Sequence, residues 1–73
     1  MEIEVQEQQL PGIGRCWQFE TAEGRLAIVV ARSGGGCEIT TRWPDRDAAD
    51  TSLRLTAQEA ALLGSLLVGA RFR

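Results

Sequence analysis

The stretch Leu10-Pro11-Gly12-Ile13-Gly14 constrains this chain more than any other. Pro11 fixes its own φ and biases Leu10 toward extended geometry, while Gly12 and Gly14 open backbone conformations that a side chain would penalise. The result is a rigid apolar elbow between two extended segments. After it, Arg15 to Thr21 alternates with period two, placing Trp17, Phe19 and Thr21 on one face and Cys16, Gln18 and Glu20 on the other. Before it, Glu2-Ile3-Glu4-Val5-Gln6 alternates in the same way and predicts a half-buried strand.

The remaining punctuation predicts a meander. Glu23-Gly24 supplies a turn, and Arg25 to Ala31 follows as a β-branched, apolar run suited to a central strand. Ser33-Gly34-Gly35-Gly36 leads into Cys37 to Trp43, whose Cys37, Ile39, Thr41 and Trp43 share a face. On that parity Cys16 and Cys37 point to different faces, so no disulfide is expected between them. Pro44 to Asp50 reads as an exposed aspartate loop, and Ser52 to Leu55 as a short edge strand. Thr56-Ala57-Gln58-Glu59 has capping-box spacing, so a helix starts at Ala57, and Gly69 is read as its terminator. The fold class is therefore α+β: one domain over residues 1–73, with a small antiparallel sheet of four to five strands packed with one C-terminal helix.

That helix carries more apolar surface than one sheet covers. Ala60, Leu63, Leu66 and Leu67 make the expected core face, and Leu62 and Val68 lie outside it. Gly64 in the helix interior permits close approach of another backbone. Whether this helix packs wholly on its own sheet or docks elsewhere stays open in the sequence. Ile13 is read either as a plug for the sheet edge or as a partner contact. The candidate interaction surface is thus Leu62, Gly64, Leu67 and Val68 on the helix, with Leu10 and Ile13 at the elbow. Trp17 and Trp43 are read as core fillers on inward faces; the alternative is a small-molecule pocket around both.

Composition narrows the function classes. A chain of 73 residues buries only about 60% of its unfolded surface, so docking or oligomerisation is the expected support. There is no His, and two cysteines cannot complete a zinc site. The aspartate loop fails the calcium-loop pattern: counted from Asp45, its sixth and twelfth positions are Asp50 and Thr56 rather than Gly and Glu. Gly34-Gly35-Gly36 lacks the Lys-Ser/Thr of a phosphate loop. With no His, no Tyr and no nucleophile beside a base, no catalysis is expected, and no cofactor. The formal charge of -2 and the lack of a basic block argue against nucleic acid as a partner. The longest apolar run, Leu26 to Ala31, is too short to cross a membrane. Two cysteines and no leader pattern point to a reducing cytoplasm.

The ordered set of elbow, aromatic strand, Glu-Gly turn, apolar strand and capped helix resembles a known family. Leu10-Pro11-Gly12-Ile13-Gly14, Phe19-Glu20-Thr21, Ile28-Val29-Val30, Leu55-Thr56, Glu59-Ala60 and Leu63-Gly64 carry the match, which spans nearly the whole chain. It is similar to the amino-terminal domain of KhtT-type regulatory subunits of bacterial potassium/proton antiporters. The resemblance implies a non-catalytic regulatory or docking role, with a membrane cation/proton antiporter and an RCK-C (TrkA-C type) module or second subunit as partners. A homodimer is a further expectation, as is a cytoplasmic location held at the inner membrane through the transporter. In that family the RCK-C module binds the regulatory ligand, commonly a cyclic dinucleotide, so no residue here inherits a nucleotide site. Arg71-Phe72-Arg73 falls at the expected interdomain junction.

Overall fold

The alternating segments form one five-stranded antiparallel sheet in the computed structural model, which describes residues 2–71, with side chains described for residues 2–69. Its strands are β1 (Gln6–Leu10), β2 (Gly14–Glu20), β3 (Leu26–Arg32), β4 (Cys37–Arg42) and β5 (Thr51–Leu55), and their spatial order equals their chain order. The expected meander is what forms, followed by one helix, α1 (Ala57–Arg71). The hairpin turns lie where glycine punctuates the sequence: Gly24 N donates to Thr21 O at 2.9 Å and Gly35 N to Arg32 O at 3.0 Å. Phe72 and Arg73, within the expected junction, lie outside the described residues.

Register fixes the two faces, because directly opposed residues of an antiparallel pair project to the same side. Trp17 opposes Val29, Val29 opposes Ile39 and Ile39 opposes Leu53, an apolar row across four strands. A neighbouring row of Arg15, Ala31, Cys37 and Leu55 lies on the same side. The other face carries Cys16, Val30, Glu38 and Arg54 in one row. There Arg54 Nε donates to Glu38 Oε2 at 2.9 Å, and Arg32 Nη2 lies 3.6 Å from the same oxygen. Both cysteines are free and sit on opposite faces, as the alternation predicts.

Two sequence-based boundaries differ. The first strand was expected over Glu2 to Gln6, but β1 begins at Gln6. Continuing the β1–β2 register, in which Gln6 opposes Gln18, would set Glu4 opposite Glu20, and like charges directly opposed destabilise a ladder. Gly69 was expected to stop the helix, yet α1 runs through it to Arg71. Gly69 is not among the positive-φ glycines, so the left-handed cap that ends helices does not form there.

The helix start follows the sequence. Thr56 Oγ1 accepts from Glu59 N at 3.1 Å, and Thr56 N donates to Glu59 Oε1 at 2.9 Å, a reciprocal capping box. Thr56→Ala is expected to cost about 1 kcal/mol. Urea denaturation followed at the helical far-UV signal measures it; an unchanged midpoint would show that the cap adds nothing.

Packing is where the fold departs furthest from a self-sufficient domain. No described residue is fully buried. Trp17 and Trp43, read as core fillers, are only half-buried. α1 meets the sheet chiefly at β5. Ala60 and Leu63 are half-buried, as their assignment to a core face requires, but Leu66 and Leu67 are not on such a face: with Leu62 and Val68 they are 59 to 64% exposed. The single residue Thr56 joins β5 to α1, so the helix continues from the edge strand and does not turn back across the sheet.

Candidate functional site

The elbow is a β-turn with defined chemistry. Ile13 N donates to Leu10 O at 2.9 Å, Pro11 occupies the first central position, and Gly12 occupies the second with φ of 77°. That combination is a type II turn, and it closes the β1–β2 hairpin. Gly14 has φ of 153°, and a Cβ built there would lie 1.8 Å from Ala31 O, so β2 and β3 approach each other where only hydrogen fits. Ser33 N then donates to Ile13 O at 2.8 Å, tying the elbow to the end of β3. Leu10 is half-buried. Ile13 is 46% exposed; its carbonyl makes the link to the neighbouring turn, and the residue lines a groove at the elbow.

The same end of the sheet holds the start of the helix. A Cβ on Gly35 would lie 3.6 Å from Ala57 Cβ, so the β3–β4 turn sits between the elbow and α1. Beyond this junction Leu62 and Leu66, Leu63 and Leu67, and Gly64 and Val68 are spaced i, i+4 and form three adjacent stripes. Leu63 alone of these leucines is half-buried, and a Cβ on Gly64 would meet nothing within 4 Å. The helix is apolar on several sides at once. From Ala60 to Gly69 it carries no charged residue.

The two tryptophans do not share a pocket. Trp17, with Gln9, Pro11, Ile13 and Ser33, lines an open groove of about 440 Å³ beneath the elbow. Trp43 follows β4 and stacks under the Arg25 guanidinium, whose carbon lies 4.9 Å from the ring centroid. Arg25 also pairs with Asp50. The aspartate loop is exposed as expected, but it is pinned at both ends: Asp50 N donates to Thr41 O at 2.7 Å, and Arg42 Nη1 donates to Arg46 O at 2.9 Å. This cluster joins positions too far apart in sequence for any local motif to reveal.

Among the described residues no group of three His, Cys, Asp or Glu side chains is placed to hold a metal ion. The surface missed in the sequence is the sheet face of Trp17, Val29, Ile39 and Leu53. The alternation had already put Trp17 and Ile39 on apolar faces; the signal that this face stays uncovered was the presence of just one helix to cover several strands.

Compared with known families, the chain matches, over residues 3–71, the one described as the N-terminal domain of the K(+)/H(+) antiporter subunit KhtT. The chain belongs to this family. The resemblance seen in the elbow, the strands and the capped helix is therefore a family membership that extends over almost every residue. The family's name describes a subunit of a potassium/proton antiporter. No curated protein and no solved structure matches the chain. Among the described residues no helix is long and apolar enough to cross a membrane.

Proposed function

We propose that this chain is a non-catalytic regulatory and docking domain of a cation (potassium)/proton antiporter system, acting through protein–protein contacts. The observation that carries the reading is the family match over residues 3–71 together with an apolar helix left uncovered by its own sheet. In this role the domain couples the membrane antiporter to a ligand-sensing module of RCK-C type or to a second subunit. It works on the cytoplasmic side, at the membrane only through its partner. Leu62, Gly64, Leu67 and Val68 on α1, and Leu10 and Ile13 at the elbow, are the proposed contact residues.

The physical basis is the cost of leaving such a surface in water. Burying apolar area is favourable by roughly 25 cal/mol per Å², and contiguous exposed apolar patches on soluble proteins mark contact sites. The elbow adds a contact whose backbone is already fixed by Pro11 and the Ile13–Ser33 hydrogen bond, so little ordering is needed on binding.

Co-purification of the antiporter from membranes tests this. Ile13→Glu, Leu62→Glu and Leu67→Glu are each expected to lower recovery about tenfold or more, as truncation of a central contact does, with the far-UV spectrum retained. Unchanged recovery for all three, or normal ion-transport regulation after removal of the domain, would refute the reading.

A further inference from the structure

The sheet ends in two edges, and they are not alike. β5 is joined through Thr56 to α1, which packs beside it. β1 is paired on one side only, and Gln6 to Gln9 are exposed. Which of its backbone groups face outward follows from the neighbouring strands. Thr21 N donates to Arg25 O at 2.7 Å and Ser33 N to Ile13 O at 2.8 Å, so the odd-numbered residues at both ends of β2 turn their backbone groups toward β3. Hydrogen-bonded and non-hydrogen-bonded pairs alternate along an antiparallel ladder, so Gly14, Cys16 and Gln18 turn theirs to Leu10, Gln8 and Gln6. Glu7 and Gln9 therefore point their N–H and C=O groups away from the sheet.

Such edges are ordinarily blunted by Lys, Pro, a bulge or an inward charge. β1, Gln-Glu-Gln-Gln-Leu, carries no Lys or Pro, and its register to β2 is one to one without a bulge. Its single charge, Glu7, lies 3.6 Å from Arg15. The edge is thus open, polar and unguarded.

We infer that β1 is a docking edge, which takes an extended basic segment of a partner protein as a further strand of the sheet. Strand addition draws affinity from main-chain hydrogen bonds and selectivity from alternate side chains. Here charge makes the selection. Glu2, Glu4 and Glu7 are the only charged side chains before Arg15. At the start of the edge a cleft of about 600 Å³ is lined by Glu2, Glu4 and Glu20 together with Ile3, Phe19 and Leu26. Carboxylates beside apolar surface suit the long stem and charged head of Lys or Arg. An acidic segment would instead set like charges against the same margin. A basic head between Glu4 and Glu20 also offsets the like-charge opposition at which β1 stops, so the ladder gains Glu4 and Val5 when the segment binds. At its other end the edge runs directly into the elbow, whose backbone is already held by the Ile13–Ser33 hydrogen bond.

This inference goes beyond the antiporter reading and rests on the edge alone; α1 and the elbow keep the contacts proposed above. Within that reading the segment has a source of the right chemistry, since loops on the cytoplasmic side of membrane proteins carry an excess of Lys and Arg. The test uses the whole chain and two synthetic peptides of strand-forming pattern, one alternating Lys and Thr, the other Glu and Thr. Amide hydrogen exchange at Glu7 and Gln9 is expected to slow with the Lys–Thr peptide at about 1 mM and to stay unchanged with the Glu–Thr peptide. Gln9→Pro removes one outward N–H without touching the bonds to β2. It is expected to weaken binding about fivefold or more while the β2–β3 ladder stays protected. Glu2→Gln, Glu4→Gln and Glu7→Gln together, all at exposed positions, are expected to weaken binding about tenfold and to erase the preference between the peptides. This combined variant carries the test if Gln9→Pro loses the ladder. Slow exchange at Glu7 and Gln9 without any peptide would show the edge already taken by a second copy, and overturns the inference. Equal binding of the two peptides, protection confined to α1 or the apolar sheet face, full binding by the combined variant, or no binding of the Lys–Thr peptide at that concentration overturns it as well.

Discussion

Gly14→Ala is expected to be the most destabilising single-methyl change in the chain, at about 3 kcal/mol or more, because strain and steric exclusion act at the same atom. The added Cβ would lie 1.8 Å from Ala31 O, 2.9 Å from Ala31 C and 3.0 Å from Arg32 Cα, all of them backbone. No rotamer change relieves a clash with a neighbouring strand. β3 must move away by more than an ångström, and the movement breaks the Gly14–Arg32 end of the ladder and the Ser33–Ile13 hydrogen bond. The φ of 153° adds a second penalty, since side chains are rarely tolerated there. A domain of this size has a total stability of only about 4–11 kcal/mol, so the loss amounts to a large share of it. Gly12→Ala is the control. Its φ of 77° is also unfavourable, but the added Cβ meets nothing within 4 Å, so the expected cost is about 1 kcal/mol. Urea denaturation of both variants checks the difference; equal losses would mean that backbone conformation alone, and not the approach of β3, makes Gly14 necessary.

That contrast also shows why some of the fold was legible in the sequence. The elbow, the Glu23-Gly24 turn and the Thr56/Glu59 capping box are built from interactions a few residues apart, so residue type and spacing carry nearly all the information. Face parity was legible for the same reason: the side-chain period of a strand is fixed, and Cys16 and Cys37 had to diverge once their strands were assigned. What failed was tertiary. Glu2 to Gln6 alternates as well as any strand, but alternation says nothing about a partner, and the ladder starts only where the opposite strand offers compatible charges. Gly69 terminates a helix only where it takes up a left-handed φ, and here it keeps helical geometry. Leu66 and Leu67 have the spacing of a core face but no core to enter, because one linking residue carries the helix away from the sheet. The candidate interaction residues were found from the excess of leucine, which is a local count. The apolar sheet face was legible from alternation, but its exposure was not, because exposure is a property of what fails to cover it.

The other large effect is expected at the opposite end of the sheet, where Arg25→Ala should release the loop between β4 and β5. Arg25 follows the β2–β3 turn, and its side chain reaches two residues of that loop, Trp43 and Asp50. Both charged partners are about two-thirds buried, the Arg25 side chain being 33% exposed and Asp50 32%, so solvent screens their attraction less than it screens the surface pair Arg15–Glu7. A charge-assisted hydrogen bond contributes roughly 1.5–3 kcal/mol and a cation over a tryptophan face roughly 0.5–1 kcal/mol more. Some of this is offset by the Arg25 Nε, which is buried without a partner. The net loss expected for Arg25→Ala is therefore about 2 kcal/mol, and Arg25→Lys should recover only part of it, because an ammonium cannot present a flat face to the indole and a fork to the carboxylate together. Asp50→Asn separates the contributions, since it removes the charge pair and keeps the stacking. Amide hydrogen exchange in residues 43–50 is the direct reading: faster exchange there in Arg25→Ala, with the β2–β3 ladder still protected, is the expected result. Uniform acceleration across the sheet would mean instead that Arg25 supports the whole fold, and unchanged exchange that the backbone hydrogen bonds to Thr41 and Trp43, with the Arg42–Arg46 contact, hold the loop without it.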